Sequence, residues 1–424
     1  MMRAAGPFCY LHCATINEQH ETEHKQMKVP KILMAGLLAL STAAIVNAQT
    51  TIRITGSTAF RAGTMQAIGD ILQPGYTVGY SGSSLPGASQ AIFTGTTYAT
   101  NGGIGVIIKC SWSGSVGGVL TVSQHIPVTT WLVNSTPAGG SAPANYDPPT
   151  VPDVCMSDVF QASTPFPTPK LTDQIVGIVP FKWVRNNGSV STLANMTPQL
   201  AISLYTGTGR LPLALFNGNN SDEGTNVFAL GRNADSGTRL TAFAETGVGV
   251  LNNVHQYYPL NGATIIKSGG TLIVTGQELV PQNDIVNGIT YPAGDSGYNS
   301  GGDLAAAMKS TGSFAAVGGY YVTYLGLPDA YTAENGGATD MTYNGVAYSP
   351  AAVEEGQYTF WGYEHLDYLS TYGGNGKTVA DALAAKILNQ DAAVIPSGSV
   401  APGILLGSMN VQRFTDGGPI SNLY

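Results

Sequence analysis

Charge is scarce in this chain. Only 10% of its 424 residues are Asp, Glu, Lys or Arg, which excludes a surface laced with ion pairs and leaves polarity to hydroxyls, amides and turns. The 18 basic residues never gather into a stripe and the formal net charge is −8. That excludes nucleic acid as the main partner, because such contacts line Lys and Arg up on phosphates. Histidine is equally sparse. His12, His20, His24, His125, His255 and His365 lack ligand spacing and no Cys-x-x-Cys pair accompanies them, so no metal and no other cofactor is read from the sequence. Neither a Walker phosphate loop nor a Gly-x-Gly-x-x-Gly turn follows the first strand-like run. Gly114-Ser115-Val116-Gly117 misses the serine-hydrolase elbow by one position, so a non-enzymatic protein is expected.

Long apolar runs are also missing. The longest at the start, Ile32 to Val46, is too short to span a bilayer. With Met27-Lys28-Val29-Pro30-Lys31 before it and Val46-Asn47-Ala48 after it, residues 27–48 have the three parts of a secretory signal. Cleavage is expected after Ala48, with residues 1–26 a misassigned leader and the mature protein periplasmic or secreted. Cys9 and Cys13 would leave with the leader. Cys110 and Cys155 remain, and a disulfide between adjacent strands and a pair of buried free thiols both stay open, since sequence does not supply the Cα spacing.

What the chain does have is 43% hydrophobic residues and 54 glycines, enough for a large core with many tight turns and, on length, two or three domains. Strand-like and helix-like patterns alternate, which gives the class α/β. Thr51–Thr55, Tyr76–Tyr80, Gly105–Trp112, Ile175–Val184, Asn226–Leu230 and Ser313–Leu325 read as strands. Helical patterns start after Phe60, run from Gly87 to Phe93, open at Thr197-Pro198, and return over Gly301–Met308 and Val379–Leu388. Residues 132–149 read as an exposed loop, and the stretch from Val254 to Asp295 as a small antiparallel insertion. No repeat of fixed period is present.

Three of these strands, and the apolar run Val154-Cys155-Met156, deliver similar turns: Ser57-Thr58, Ser113-Gly114-Ser115, Arg232 with Ser236-Gly237-Thr238, and Asp158. A parallel α/β sheet places such turns at one crevice. A tetrahedral oxyanion needs many short donors, which hydroxyls and the N–H groups of a helix start provide, and Arg adds charge in a planar fork. Asp158 would repel a bare anion but accept from a protonated one, selecting phosphate over sulfate. The plain alternatives are a capped helix after a turn and a turn aspartate.

In order, these turns resemble those of the periplasmic phosphate-binding proteins of ABC importers, the type 2 periplasmic binding proteins. Thr55-Gly56-Ser57-Thr58-Ala59-Phe60 is similar to their first turn, Ser113 to Gly118 to their Gly-Ser-Ser-Gly-Gly turn, Met156-Ser157-Asp158 to their Ala-Ser-Asp, and Arg232 to Thr238 to their Arg-x-Asp-Gly-Ser-Gly-Thr. Phe314 to Tyr324 and Gly356-Gln357-Tyr358 also resemble family segments. The resemblance implies a two-lobed fold, each lobe a mixed sheet flanked by helices, with β-rich insertions. Residues 49–170 and 316–424 would form lobe 1 and residues 171–315 lobe 2. It further implies a monomer that captures inorganic phosphate for an ABC permease. The ligand set would be Ser57, Thr58, Ser113, Ser115, Asp158, Arg232, Ser236, Gly237 and Thr238. Asp235 stands one place later than the family's aspartate, Ser81 to Ser84 rival the second turn, and Ala59 replaces a hydroxyl. A binder of another oxyanion, and a secreted surface or matrix protein that keeps the fold without transport, are the alternatives.

Overall fold

Strand β1 (Thr50–Gly56) alternates apolar and polar side chains and ends in a Gly-Ser turn, so its inward residues Ile52 and Ile54 enter the core and the chain turns at once into the helix Arg61–Ile71. In the computed structural model, residues 49–423 are described apart from 142–144, 269, 282–284, 287–288 and 313–316. The expected leader and signal segments, and the start of the Ser313–Leu325 run, lie outside the described residues. Around β1 stand β2 (Thr77–Ser81), β3 (Gln90–Thr96), β4 (Gly105–Ser111), β5 (Gly139–Ser141) and β6 (Val154–Ser157). β1 lies parallel to both β4 and β6.

The second half begins with the fourteen-residue β7 (Thr172–Arg185), followed by β8 (Asn195–Met196), β9 (Arg210–Pro212) and β10 (Asn226–Ala229). β11 (Tyr257–Asn261), β12 (Thr264–Ile265) and β14 (Gly276–Leu279) form the expected antiparallel insertion, with β13 (Ile273–Val274), β15 (Ile285–Val286), β16 (Ile289–Thr290) and β17 (Thr311–Gly312) beside it in sequence. β18 (Gly319–Gly326), β19 (Thr339–Tyr343) and β20 (Trp361–Tyr368) return to the main sheet. That sheet has 13 strands in the order β5-β2-β3-β4-β1-β6-β20-β7-β18-β10-β9, with β19 branching from β7 and β8 paired to β19. It is a mixed sheet flanked by helices, the α/β architecture read from the sequence. The helix Ser115–Ser123 packs on β1 and β6, while Arg61–Ile71 and Gly374–Asn389 pack on each other.

Three expectations need correction. Residues 87–93 do not form a helix. Gln90–Thr96 is β3, antiparallel to β2 and β4, because the short apolar run Ala91-Ile92-Phe93 fits a buried strand as well as a helix face and the flanking strands decide it. Nor is 132–149 simply an exposed loop: Trp131 and Leu132 are buried, and the buried Lys109 ammonium donates to Leu132 O at 2.6 Å and pairs with Asp147 at 2.5 Å. Finally, Cys110 and Cys155 are separate buried thiols, not a disulfide. Cys110 pairs with Ile54 on one side of β1 and Cys155 with Thr55 on the other. Two inter-strand spacings put them about 10 Å apart, beyond the roughly 7 Å limit for a bridge. The one-residue offset also points them to opposite faces, Cys155 toward Val119 and Val122. Burial pushes both thiols up, so neither is a ready nucleophile. Unfolding a chain that begins at residue 49, without reductant, is expected to expose two alkylatable thiols with no mass change on reduction; a two-dalton gain on reduction would contradict this register.

Under the sheet, Trp183 of β7 packs edge-on to Tyr324 at 5.7 Å and stacks on Phe360 at 5.6 Å. Phe243 of the helix Gly237–Thr246 meets Tyr205 at 5.2 Å and Tyr324 at 5.6 Å. This aromatic cluster fixes that helix where its first turn faces the ends of β1, β4 and β6.

Candidate functional site: a buried arginine among hydroxyls

The parallel strands β1, β4 and β6 end side by side, so Ser57-Thr58, Ser113 to Ser115 and Asp158 emerge at one place. β10 delivers the Arg232 turn from the other half. Ser57 N–H donates to Met156 O at 2.7 Å and its hydroxyl accepts from Phe60 N–H at 3.2 Å, locking the first turn. Thr58 Oγ1 accepts from Arg232 Nη1 at 3.1 Å, joining the two halves.

Arg232 is 1% exposed. Its Nε donates to Tyr298 O at 3.0 Å and its Nη2 to Asn299 O at 2.9 Å. All three acceptors are neutral, and among the described residues no carboxylate comes within ion-pair distance of the guanidinium. Burial pulls its pKa down, opposed by the more distant Asp329 and Asp158. The backbone of the same residue is held too: its N–H donates to Tyr324 Oη at 3.2 Å and its carbonyl accepts from Gln256 Nε2 at 3.1 Å and Arg239 Nη1 at 3.2 Å.

Gly237–Thr246 is helical with Ser236 as its cap, the Ser236 hydroxyl accepting from Arg239 N–H at 3.2 Å. Its first turn meets Asp158. Ser115 Oγ donates to Asp158 Oδ1 through a short bond, and Thr238 Oγ1 donates to Oδ2 at 3.4 Å. A Cβ on Gly237 would run into Asp158 Oδ1, so only glycine allows this approach. Burial raises the Asp158 pKa, offset by the Ser115 hydroxyl and then by Arg232.

The structure thus brings Ser57, Thr58, Ser115, Asp158, Arg232, Ser236, Gly237 and Thr238 together. Ser113 stands at the rim, half-buried, its hydroxyl 3.3 Å from Thr55 Oγ1. The rival Ser81 to Ser84 turn lies away from this crevice, beyond β3 and β4 in the sheet. Asp235 takes part through its backbone: its carbonyl accepts from Val116 N–H at 3.0 Å and Gly117 N–H at 3.2 Å, closing the start of the helix Ser115–Ser123. Those two donors, which an anion would otherwise use, are therefore taken.

Three contributors went unread in the sequence. Arg239 directly follows the Arg232 to Thr238 stretch; its Nη2 pairs with Asp295 at 2.6 Å, both side chains buried, and Asp295 Oδ1 also accepts from Val254 N–H at 3.1 Å. Gln256 fills the next layer, donating to Ser296 O at 2.6 Å and accepting from Tyr324 Oη at 3.1 Å. Glu364 of β20 is fully buried next to Asp158 and Ser57. None has a motif, since each acts through a partner distant in sequence. Among the described residues no helix is long and apolar enough to cross a membrane.

No family model and no curated protein matches the chain. Among solved structures it is similar to an ABC-type phosphate transport receptor from Vibrio cholerae, at 11% identity and a TM-score of 0.43 over 81% of this chain and 100% of that one. It is similar to PstS from Borrelia burgdorferi at 9% identity and a TM-score of 0.36, over 81% and 97%. The CcmR regulatory domain from Synechocystis in complex with 2-PG aligns at 10% identity and a TM-score of 0.35, over 81% and 99%.

Replacing Asp295 by Ala would leave the Arg239 charge buried without its partner. The expected loss is about 3–5 kcal/mol of unfolding free energy, measured by denaturant titration; a loss under about 1 kcal/mol, the range of exposed pairs, would show that solvent reaches this ion pair.

Proposed function

We propose that the chain is an exported, non-enzymatic binding protein that captures phosphate, or a similar tetrahedral oxyanion, in the Arg232 cradle for delivery to an ABC permease. The observation that carries this reading is a fully buried guanidinium bonded only to neutral oxygens. Burying a cation without a counter-charge is costly, and an anion seated against it relieves that cost. Arg232 supplies the charge. Ser57, Thr58, Ser113, Ser115, Ser236, Gly237 and Thr238 supply donors from hydroxyls and from the first turn of a helix. Asp158 accepts from a hydroxyl carried by the ligand, which favours hydrogen phosphate over sulfate.

On this reading residues 49–170 with 316–424 form one lobe and 171–315 the other, closing on the anion as a monomer. The closing contacts are those that cross the crevice: Arg232 to Thr58, Thr238 to Asp158, and the Asp235 carbonyl on the Ser115–Ser123 helix.

Titration calorimetry of the purified protein with phosphate, sulfate and tungstate tests it. Phosphate is expected to bind more tightly than sulfate, and Asp158→Asn to remove that preference. Arg232→Met is expected to cost about 2–5 kcal/mol, roughly 30-fold or more in Kd. No heat and no thermal shift with any of the three anions would end the reading.

A further inference from the structure

The central strand β20 has all eight residues buried, and it carries three acidic or basic side chains, Glu364, His365 and Asp367. His365 Nδ1 lies 2.8 Å from Asp173 Oδ1. Among the described residues Asp367 has one buried oxygen, Oδ2, without a partner, and burial raises its pKa to about 7 against the opposing effect of His365. Glu364 is orphaned at both oxygens. It is 0% exposed, yet among the described residues neither carboxyl oxygen has a hydrogen-bond partner of normal geometry. An ionised carboxyl left so would cost several kcal/mol.

The strand register locates it at the cradle: His365 pairs with Ser157 of the antiparallel β6, so Glu364 is the next residue toward Asp158, and a Cβ on Gly362 would meet the Asp158 carbonyl oxygen. Ser57 supplies the hydroxyl that acts on it, and the strongest charge it feels is that of Asp158, followed by Asp367 on its own strand. From β6 the Cys155 thiol also feels the charge of Glu364. Its neighbour across β7 is Gly177, and Asp173, further along β7, is engaged with His365. Asp416, which accepts from Phe160 N–H at 3.0 Å, acts on Asp158. No Lys or Arg lies within ion-pair distance of Glu364 among the described residues.

We propose that Glu364 is a proton-donating wall of the same cradle, a neutral carboxyl next to an ionised Asp158 that offers its O–H to the bound oxyanion. The inference rests on the oxyanion-binding reading above and adds to it that binding is linked to a proton held by the protein. Two buried carboxyls that repel each other are not both readily ionised, and their environments divide the roles. Asp158 has the Ser115 hydroxyl and Arg232 to favour its charge, whereas Glu364 has only Ser57 against complete burial. Raised pKa values on both follow from burial, with Glu364 pushed well above the carboxylate range. Asp158 therefore accepts and Glu364 donates.

The sign follows directly. Below the Glu364 pKa the proton is in place and the anion is held. Above it, the proton must be taken up from solvent as the anion enters, so affinity falls by up to about tenfold per pH unit.

Calorimetry with phosphate and with sulfate, from mildly acidic to alkaline pH and in two buffers of different ionisation enthalpy, reads both affinity and protons. The wild-type protein is expected to lose affinity at alkaline pH and to take up about one more proton per anion than Glu364→Gln, whose amide keeps a donor that does not titrate. The ligand's own ionisation is common to both proteins and cancels in the comparison. An identical pH slope and proton count in the two would overturn the proposal. If Glu364→Gln does not fold, sulfate binding to Asp158→Asn decides instead: uptake near one proton at alkaline pH supports Glu364, and none overturns it. Failure of the wild-type protein to bind either anion at any pH is a separate result, which removes the oxyanion reading itself.

Discussion

The arrangement depends on where the Arg232 charge is buried. Moving a guanidinium out of water costs several kcal/mol even after relaxation, and three hydrogen bonds to a charged donor, each worth about 1.5–3 kcal/mol, are of the size needed to offset it. The acceptors come from distant parts of the chain: Thr58 after β1, and Tyr298 and Asn299 ahead of the helix Gly301–Lys309. Because Thr58 belongs to one half of the sheet and Tyr298 to the other, the guanidinium is where the halves are tied at the crevice. The layer behind it acts on the backbone. Tyr324, Gln256 and Arg239 each bond to the Arg232 main chain, so the side chain leaves a fixed base. Asp295 then neutralises Arg239, which keeps the second cation from competing with the first.

What could be read in the sequence was local chemistry. The Ser236 cap, the Thr197 cap with Pro198, and the Gly-Ser turn after β1 depend on side chains bonding a few residues away, and those patterns lie in consecutive letters. Contacts made by backbone atoms were not legible in the same way. In the sequence Asp235 stands out as a displaced carboxylate, but its carbonyl is what seats the Ser115–Ser123 helix, and every residue has a carbonyl. Lys109 and Asp147 were hidden for another reason: their pairing spans 38 residues. It turns a Pro- and Gly-rich stretch into a wall of the structure.

β20 shows the limit most clearly. Its residues Trp361 to Tyr368 mix aromatic and ionisable groups, and mixed polarity in a strand ordinarily means one face in water. In the middle of a 13-strand sheet both faces are covered, so Glu364, His365 and Asp367 are interior together. Only strand order reveals that, and strand order follows from pairings between β6, β20 and β7 that are far apart in sequence. The scarcity of charge in the composition therefore misleads if it is taken to describe the interior. Several of the few charges present are buried around the crevice.

That concentration also explains how the cradle helix is held. Its first turn faces Asp158, while at its other end Glu245 pairs with the buried Arg413 at 2.9 Å. Arg413 in turn donates to Thr359 O at 2.6 Å and lies 4.1 Å over the Trp361 ring, at the start of the strand that carries Glu364. Helix and strand are thus joined through Arg413 at the helix's C-terminal end. Shifting the Gly237 turn relative to Glu364 would break a buried ion pair, a change on the order of 3–5 kcal/mol. Donors fixed in this way lose little freedom when an anion arrives, so hydrogen bonds that would be weak on a mobile loop can retain more of their strength here.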